Sequence, residues 1–170
     1  LNSGQKKNII YLLTGSNIGD RLENLKKAEE NITRYVGEIK KKSNIYETEA
    51  WGEIPQDNFL NRVVEVETTL QATYLLKHLK NIETLMGRTS KGDYKPRTID
   101  IDILYYNDKV INRDNLKIPH PQMEKRRFVL APLKEVAPNK IHPILKKDST
   151  HLLKDCVDTL EVYIFANSEV

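Results

Sequence analysis

An α+β sandwich is the fold class this sequence predicts, and three observations predict it. Four segments read as strands, two longer segments repeat apolar residues at helical spacing, and the two kinds follow the order strand, helix, strand, strand, helix, strand. At 170 residues the chain is expected to form one domain, 1–170, with a sizeable core. Lys and Arg number 27 against 24 Asp and Glu, a net charge of +3, so the basic excess of a nucleic-acid-coating protein is missing.

The first strand is the nearly continuous apolar run Asn8 to Thr14. Gly15-Ser16-Asn17-Ile18-Gly19-Asp20 then turns into a helix, with Asp20 as N-cap and Glu23 at capping-box spacing. Leu22, Leu25, Ala28, Ile32 and Val36 recur on one face, and Gly37 ends the helix. A glycine turn entering a helix can cradle phosphate, but the lysine and hydroxyl of a P-loop are absent, so an ordinary strand-to-helix turn is expected. Lys40 to Tyr46 reads as a second strand whose lysines make a solvated edge. Thr48 to Asp57 is a loop carrying Gly52, Pro55 and Trp51, the last read as a buried anchor or a stacking surface.

Phe59 to Leu70 alternates again. Leu60, Val64, Val66 and Leu70 share one face, interrupted by Arg62; Phe59, Asn61, Val63, Glu65 and Glu67 share the other. Phe59 beside Asn61 would suit a flat heterocycle, one stacking and one offering donor and acceptor. Ala72 to Met86 is helical, with an apolar stripe at Leu75, Leu79, Ile82 and Met86, and Gly87 terminates it. The polar loop Thr89 to Pro96, flanked by Arg88 and Arg97 and carrying Lys91 and Lys95, reads as a closing lid over a triphosphate or as a solvated loop. A strand over 100–106 follows, then a short ribbon at Val110-Ile111 and Leu116 to Ile118. Pro119-His120-Pro121 makes a rigid bend. Glu124 to Arg127 is a charge run, expected to be solvated. Short helices are expected at Phe128 to Val136 and Thr150 to Val157; the tail to Val170 receives no assignment. The order βαββαβ is that of a ferredoxin-like sandwich, here with an extra β-ribbon and short C-terminal helices. That fold hosts RNA binders, metal-binding domains and enzymes, so it does not decide function.

The chemistry concentrates in Pro96 to Tyr106. Ile99, Ile101 and Ile103 alternate with Asp100 and Asp102, which places both carboxylates on one strand face, one pleat apart. Such a pair repels unless a cation lies between, and magnesium shares its oxygen shell among carboxylates, phosphates and water. Arg97 adds a phosphate-binding fork. The other reading is a half-exposed edge strand kept soluble by its aspartates.

Gly15-Ser16-Asn17 with Gly19-Asp20, Tyr46-Glu47-Thr48, Phe59-Leu60-Asn61, Glu83 with Gly87-Arg88, Pro96 to Leu104, and Pro119-His120-Pro121 stand in one order and spacing. Together they resemble the 6-hydroxymethyl-7,8-dihydropterin pyrophosphokinase family of the folate pathway, from about Asn8 to about Cys156. The resemblance implies transfer of pyrophosphate from ATP to the pterin hydroxymethyl group, with release of AMP. It implies two magnesium ions on Asp100 and Asp102, and ATP held by Leu76, Lys80, Glu83, Arg88, Arg97, Ile103, His120 and Arg126. The pterin would be enclosed by Gly15, Thr48, Ala50, Trp51, Phe59, Asn61 and Phe128, with Asp100 close by. Arg88, Arg97, Asp100 and Asp102 would carry the catalysis, under a lid near Lys95.

Three departures are visible. Many members have a second arginine where Ser90 stands; many have Arg-Trp-Gly where Asp93-Tyr94-Lys95 stands; many have proline after the threonine that Glu49 follows here. The lid and one pterin wall are therefore expected to differ in detail, the reaction not. The competing readings are a non-catalytic RNA-binding module on the same fold and another magnesium-dependent nucleotidyl or phosphoryl transferase.

The expected partners are small molecules, with no nucleic acid and no membrane, and the chain is expected to be a monomer. Cys156 is the only cysteine, so no internal disulfide forms and a cytoplasmic setting is expected. Leu1 to Lys7 lacks the apolar stretch of a signal peptide and an initiator methionine, so this start is read as a remnant of processing or of cloning.

Overall fold

The computed structural model describes residues 5–50, 53, 55–87 and 98–170. Strand β1 (Asn8–Ser16) leads through α1 (Arg21–Tyr35) to β2 (Gly37–Lys42) and β3 (Ile45–Thr48), then β4 (Phe59–Thr68), α2 (Ala72–Leu85) and β5 (Asp100–Tyr106). The chain continues with a ribbon of β6 (Ile111–Arg113) and β7 (Leu116–Ile118), then α3 (Arg127–Val136), α4 (Ser149–Asp155) and β8 (Val162–Ala166). The main sheet runs β5-β1-β4-β3-β8, with β2 also paired to β4, and every neighbouring pair is antiparallel. Helices α1 and α2 each cross over one intervening strand, which is the ferredoxin-like arrangement expected from the element order.

The helices start and stop where the local chemistry requires. The Asp20 carboxylate accepts the Glu23 amide at 3.1 Å, satisfying one orphan N–H of α1. Gly87, at φ +92°, ends the α2 turn in the left-handed region.

Strand alternation then assigns the two sheet faces. Ile10, Leu12, Leu60, Val64, Val66, Ile101 and Ile103 pack with Leu25, Ile32, Leu75, Leu79 and Ile82 of α1 and α2. Tyr11, Leu13, Val63, Leu104 and Tyr105 point the other way and pack under Val129, Leu130 and Leu133 of α3. A register shift sets Ile103 opposite Leu12 but Tyr105 opposite Tyr11. Leu104 is the extra residue, and this bulge lets consecutive Leu104 and Tyr105 both enter the second core.

Three expectations are corrected. The single strand expected over 40–46 is two strands, β2 and β3, interrupted at Ser43-Asn44. Buried Ser43 takes the place of a ladder partner: its hydroxyl accepts the Val63 amide at 3.0 Å, and the Glu135 carboxylate of α3 accepts the Asn44 amide at 3.1 Å. The charge run is not simply solvated. Arg127 is half-buried and donates to the carbonyls of Asp158 and Cys156. The helix expected over 150–157 is α4, ending at Asp155. The unassigned tail contributes β8, which pairs with β3.

The interruption of the β4 pattern at Arg62 also has its cause. Arg62 is fully buried on the α1 side. Its Nη1 lies 3.1 Å from a Glu29 oxygen, its Nε donates to the Ser43 carbonyl at 2.9 Å, and its Nη2 donates to the Asn167 carbonyl at 3.2 Å.

Candidate active site

Pairing register carries the expected pterin residues into one neighbourhood. Asn61 of β4, Gly15 of β1 and Asp100 of β5 lie directly opposite one another across three adjacent strands. Opposed residues in an antiparallel sheet share a face, so Asn61 and Asp100 flank Gly15 on the α3 side. Thr48 and Phe59 form the next opposed pair on that face, between β3 and β4. Gly15 is required here by close approach: a Cβ would stand 2.6 Å from Asn61 Oδ1 and 3.6 Å from a Phe59 ring carbon. The Thr48 hydroxyl is buried and has no hydrogen-bond partner among the described residues. An unpaired buried hydroxyl is costly unless something completes it, and a polar ligand on this face would.

At one end of α3, Phe128 packs against the second core and the Arg126 guanidinium lies 5.9 Å from its ring centre. An expected phosphate contact and an expected pterin contact are thereby joined. Trp51, also expected at the pterin, lies outside the described residues; Ala50 is half-buried beside it in the chain.

The glycine turn after β1 works as an anchor for the loop that follows β3. Buried Asn17 donates to Gln56 Oε1 at 2.9 Å and to the Asp57 carbonyl at 3.3 Å. Arg21 donates to Glu47 at 2.7 Å and to the Asn58 carbonyl at 2.9 Å.

A second region follows the outer edge of β5. A cleft of about 270 Å³ is lined by Leu76 and Lys80 of α2, Asp102 and Ile103 of β5, and His120, all but Asp102 expected at the nucleotide. The β6–β7 ribbon adds Asp114 and Asn115 from its tip and Lys117 from β7, which sequence reasoning did not single out. Their only sequence signal was the ribbon itself; their nearness to Asp102 is a matter of how it folds over β5.

Glu83 sits elsewhere on the same edge. It is buried, and its Oε2 accepts the Ile101 amide at 2.9 Å, which ties β5 to α2. The His120 amide likewise donates to the Leu104 carbonyl at 3.1 Å. His120 Nδ1 accepts the Gln122 amide at 3.3 Å, which puts the ring proton on Nε2. Arg88, Arg97 and the lid between them lie outside the described residues.

Asp100 and Asp102 are half-exposed on one face of β5, with Ile101 and Ile103 buried on the other. Among the described residues no three His, Cys, Asp or Glu side chains gather to hold an ion by themselves. Two carboxylates one pleat apart suit a hard cation that completes its shell with water and phosphate oxygens, as magnesium does.

Gly15→Ala is expected to push Asn61 from its place and raise the KM for a ligand on this face about tenfold, with the KM at the β5 cleft little changed. Steady-state kinetics with each substrate varied in turn checks this.

Comparison with known proteins follows the same lines. A family model described as 7,8-dihydro-6-hydroxymethylpterin-pyrophosphokinase matches residues 11–138. A 2-amino-4-hydroxy-6-hydroxymethyldihydropteridine pyrophosphokinase of Aquifex aeolicus is 47% identical over 138 residues, covering 81% of this chain and 86% of that protein. Its counterpart in Bacillus subtilis is 43% identical over 130 residues, covering 76% and 78%. Among solved structures, Plasmodium falciparum HPPK-DHPS with pterin and p-hydroxybenzoate superposes with a TM-score of 0.72 at 20% identity, covering 91% of this chain and 42% of that longer one. At that identity the superposition speaks to the fold. With a family model spanning most of the chain and relatives at 43% and 47% identity, this protein belongs to the 7,8-dihydro-6-hydroxymethylpterin-pyrophosphokinase family.

Proposed function

We propose that this chain, acting as one domain, transfers the terminal pyrophosphoryl group of ATP to the hydroxymethyl oxygen of 6-hydroxymethyl-7,8-dihydropterin, releasing AMP, in folate synthesis. Strand β5 carries this reading: through Asp100 it adjoins the Gly15–Asn61 row, and through Asp102 and Ile103 it borders the cleft with Lys80 and His120. An acceptor on one side and a nucleotide on the other would meet at the two carboxylates.

In the reaction the hydroxymethyl oxygen bonds to the β-phosphorus, the bond from that phosphorus to the α,β-bridging oxygen breaks, and AMP leaves with the electron pair. The hydroxyl proton is released to solvent water as the new bond forms. Thr48, Phe59, Asn61 and Phe128 would hold the pterin, with Gly15, Ala50 and Trp51 in its wall. Leu76, Lys80, Ile103, His120 and Arg126 would lie along ATP, with Glu83 securing the strand beside it. Arg88 and Arg97 would offset charge on the transferred group. Asp100 and Asp102 would hold two magnesium ions, whose chemistry is to screen the phosphate charge and orient the two oxygens in line.

Every group in this scheme lies on one chain, which favours action as a monomer. A lone cysteine suits a reducing cytoplasm. No helix among the described residues is long and apolar enough to cross a membrane. Incubation with ATP, magnesium and the pterin should give AMP and a pterin diphosphate in equal amounts. ADP as the nucleotide product would overturn the reading.

A further inference from the structure

We propose that the C-terminal segment, residues 156–170, is a positioning element for the pterin half of the site. The inference rests on the pyrophosphokinase reading above. The segment lies beyond residues 11–138, the part matched by the family model. Yet it grips the expected pterin wall at four places.

The first is the start of α3. The Arg127 amide donates to Asp158 Oδ2 at 3.0 Å, and its guanidinium donates to the Asp158 carbonyl at 3.1 Å and the Cys156 carbonyl at 3.4 Å. This fixes the backbone on which Arg126 and Phe128 are the adjoining residues. The second is β3, where Val162 pairs with Thr48 and Tyr163 with Glu47. Third, the Phe165 ring stacks 5.6 Å from the Arg21 guanidinium. That guanidinium holds Glu47 and the Asn58 carbonyl, the residues immediately before Thr48 and Phe59. Fourth, the Asn167 carbonyl accepts from buried Arg62, the neighbour of Asn61.

Burial is not what the segment supplies. Tyr163, Ile164 and Phe165 all remain exposed, so β8 adds little to either core. Its contacts instead converge on the residues flanking Thr48, Phe59, Asn61 and Phe128. Strand β8 is also at the opposite edge of the sheet from β5, whose outer side forms the Lys80–His120 cleft. A brace placed this way acts on one substrate and not the other. A strand that merely stabilised the fold would affect both.

The test compares the full chain with Arg21→Met, Phe165→Ala and a chain lacking residues 159–170, measuring kcat and the KM for ATP and for 6-hydroxymethyl-7,8-dihydropterin separately. Arg21→Met and the truncation are expected to raise the pterin KM about tenfold, and Phe165→Ala about threefold, with the ATP KM within about twofold and kcat kept at saturating pterin. Should the truncated chain fail to fold, the two point variants, which leave the β3–β8 pairing in place, decide. An unchanged pterin KM in Arg21→Met, or a parallel change in both KM values and kcat, overturns the proposal. A wild-type chain that releases no AMP overturns the pyrophosphokinase reading and this one with it; an active wild type with an unaffected Arg21→Met overturns this one alone.

Discussion

Asp102→Ala, and equally Asp100→Ala, is expected to lower kcat for AMP release by about a thousandfold while the protein stays folded. The two side chains stand one pleat apart on the face of β5 that turns away from α1 and α2. At a spacing of about 7 Å, two carboxylates repel by about 2 kcal/mol at an effective dielectric of about 20. A divalent cation between them reverses the sign of that interaction, and the triphosphate it carries is drawn to the same place. Neither carboxylate contributes to the apolar core, which rests on Ile101 and Ile103, so each variant is expected to stay folded. Asp102→Asn separates charge from shape. It keeps the volume and one acceptor oxygen but removes the negative charge, and it should be nearly as inactive as Asp102→Ala. Stopped-assay measurement of AMP over a magnesium titration, with a thermal melt for each variant, checks the set. A variant retaining a tenth of wild-type turnover at saturating magnesium would sink the assignment.

How much of this was legible in the sequence depends on whether the information was local. Alternation of Ile99, Ile101 and Ile103 with two aspartates assigned both faces of β5 without any knowledge of its neighbours. The helix starting after Asp20 and the helix ending before Gly87 carried their own punctuation, and both stand within a residue or two of expectation. Long-range partners were not legible. Nothing near Ser43 announces that its hydroxyl will bond to Val63, or that Asn44 will meet a glutamate of α3, so the break between β2 and β3 was invisible. Strand β8 has β-branched and aromatic residues but no alternation that would choose a face, because both its faces stay largely exposed. Asp114, Asn115 and Lys117 carried no signal beyond the ribbon they belong to; only the fold of that ribbon over β5 brings them to the cleft. The arginine in β4 was visible as an exception to its pattern, and its partners, from α1, the β2–β3 break and the tail, were not.

That arginine carries the largest expected effect on stability. Arg62→Ala should cost about 3–5 kcal/mol, because it leaves the largely buried Glu29 carboxylate without its closest partner and strips the Ser43 and Asn167 carbonyls of a donor. Lys42 is the remaining cation, 3.4 Å from Glu29, and its more exposed side chain offers weaker compensation. For a chain whose total stability lies in the usual range of about 5–15 kcal/mol, a loss of that size removes a large fraction and lowers the melting temperature by about 10 °C. Arg62→Met should cost less, since its chain refills part of the volume, and the double variant Arg62→Met/Glu29→Leu should recover most of the loss. In the double variant no buried charge remains to be compensated, and replacing a buried ion pair by apolar residues of similar size is often neutral. The cycle therefore distinguishes an ion pair that stabilises in its own right from one that is merely expensive to break. Urea unfolding of wild type, both single variants and the double gives the coupling directly. If Arg62→Met unfolds within about 1 kcal/mol of wild type, the guanidinium is not the tie between α1, the β2–β3 break and the tail that its five donors describe.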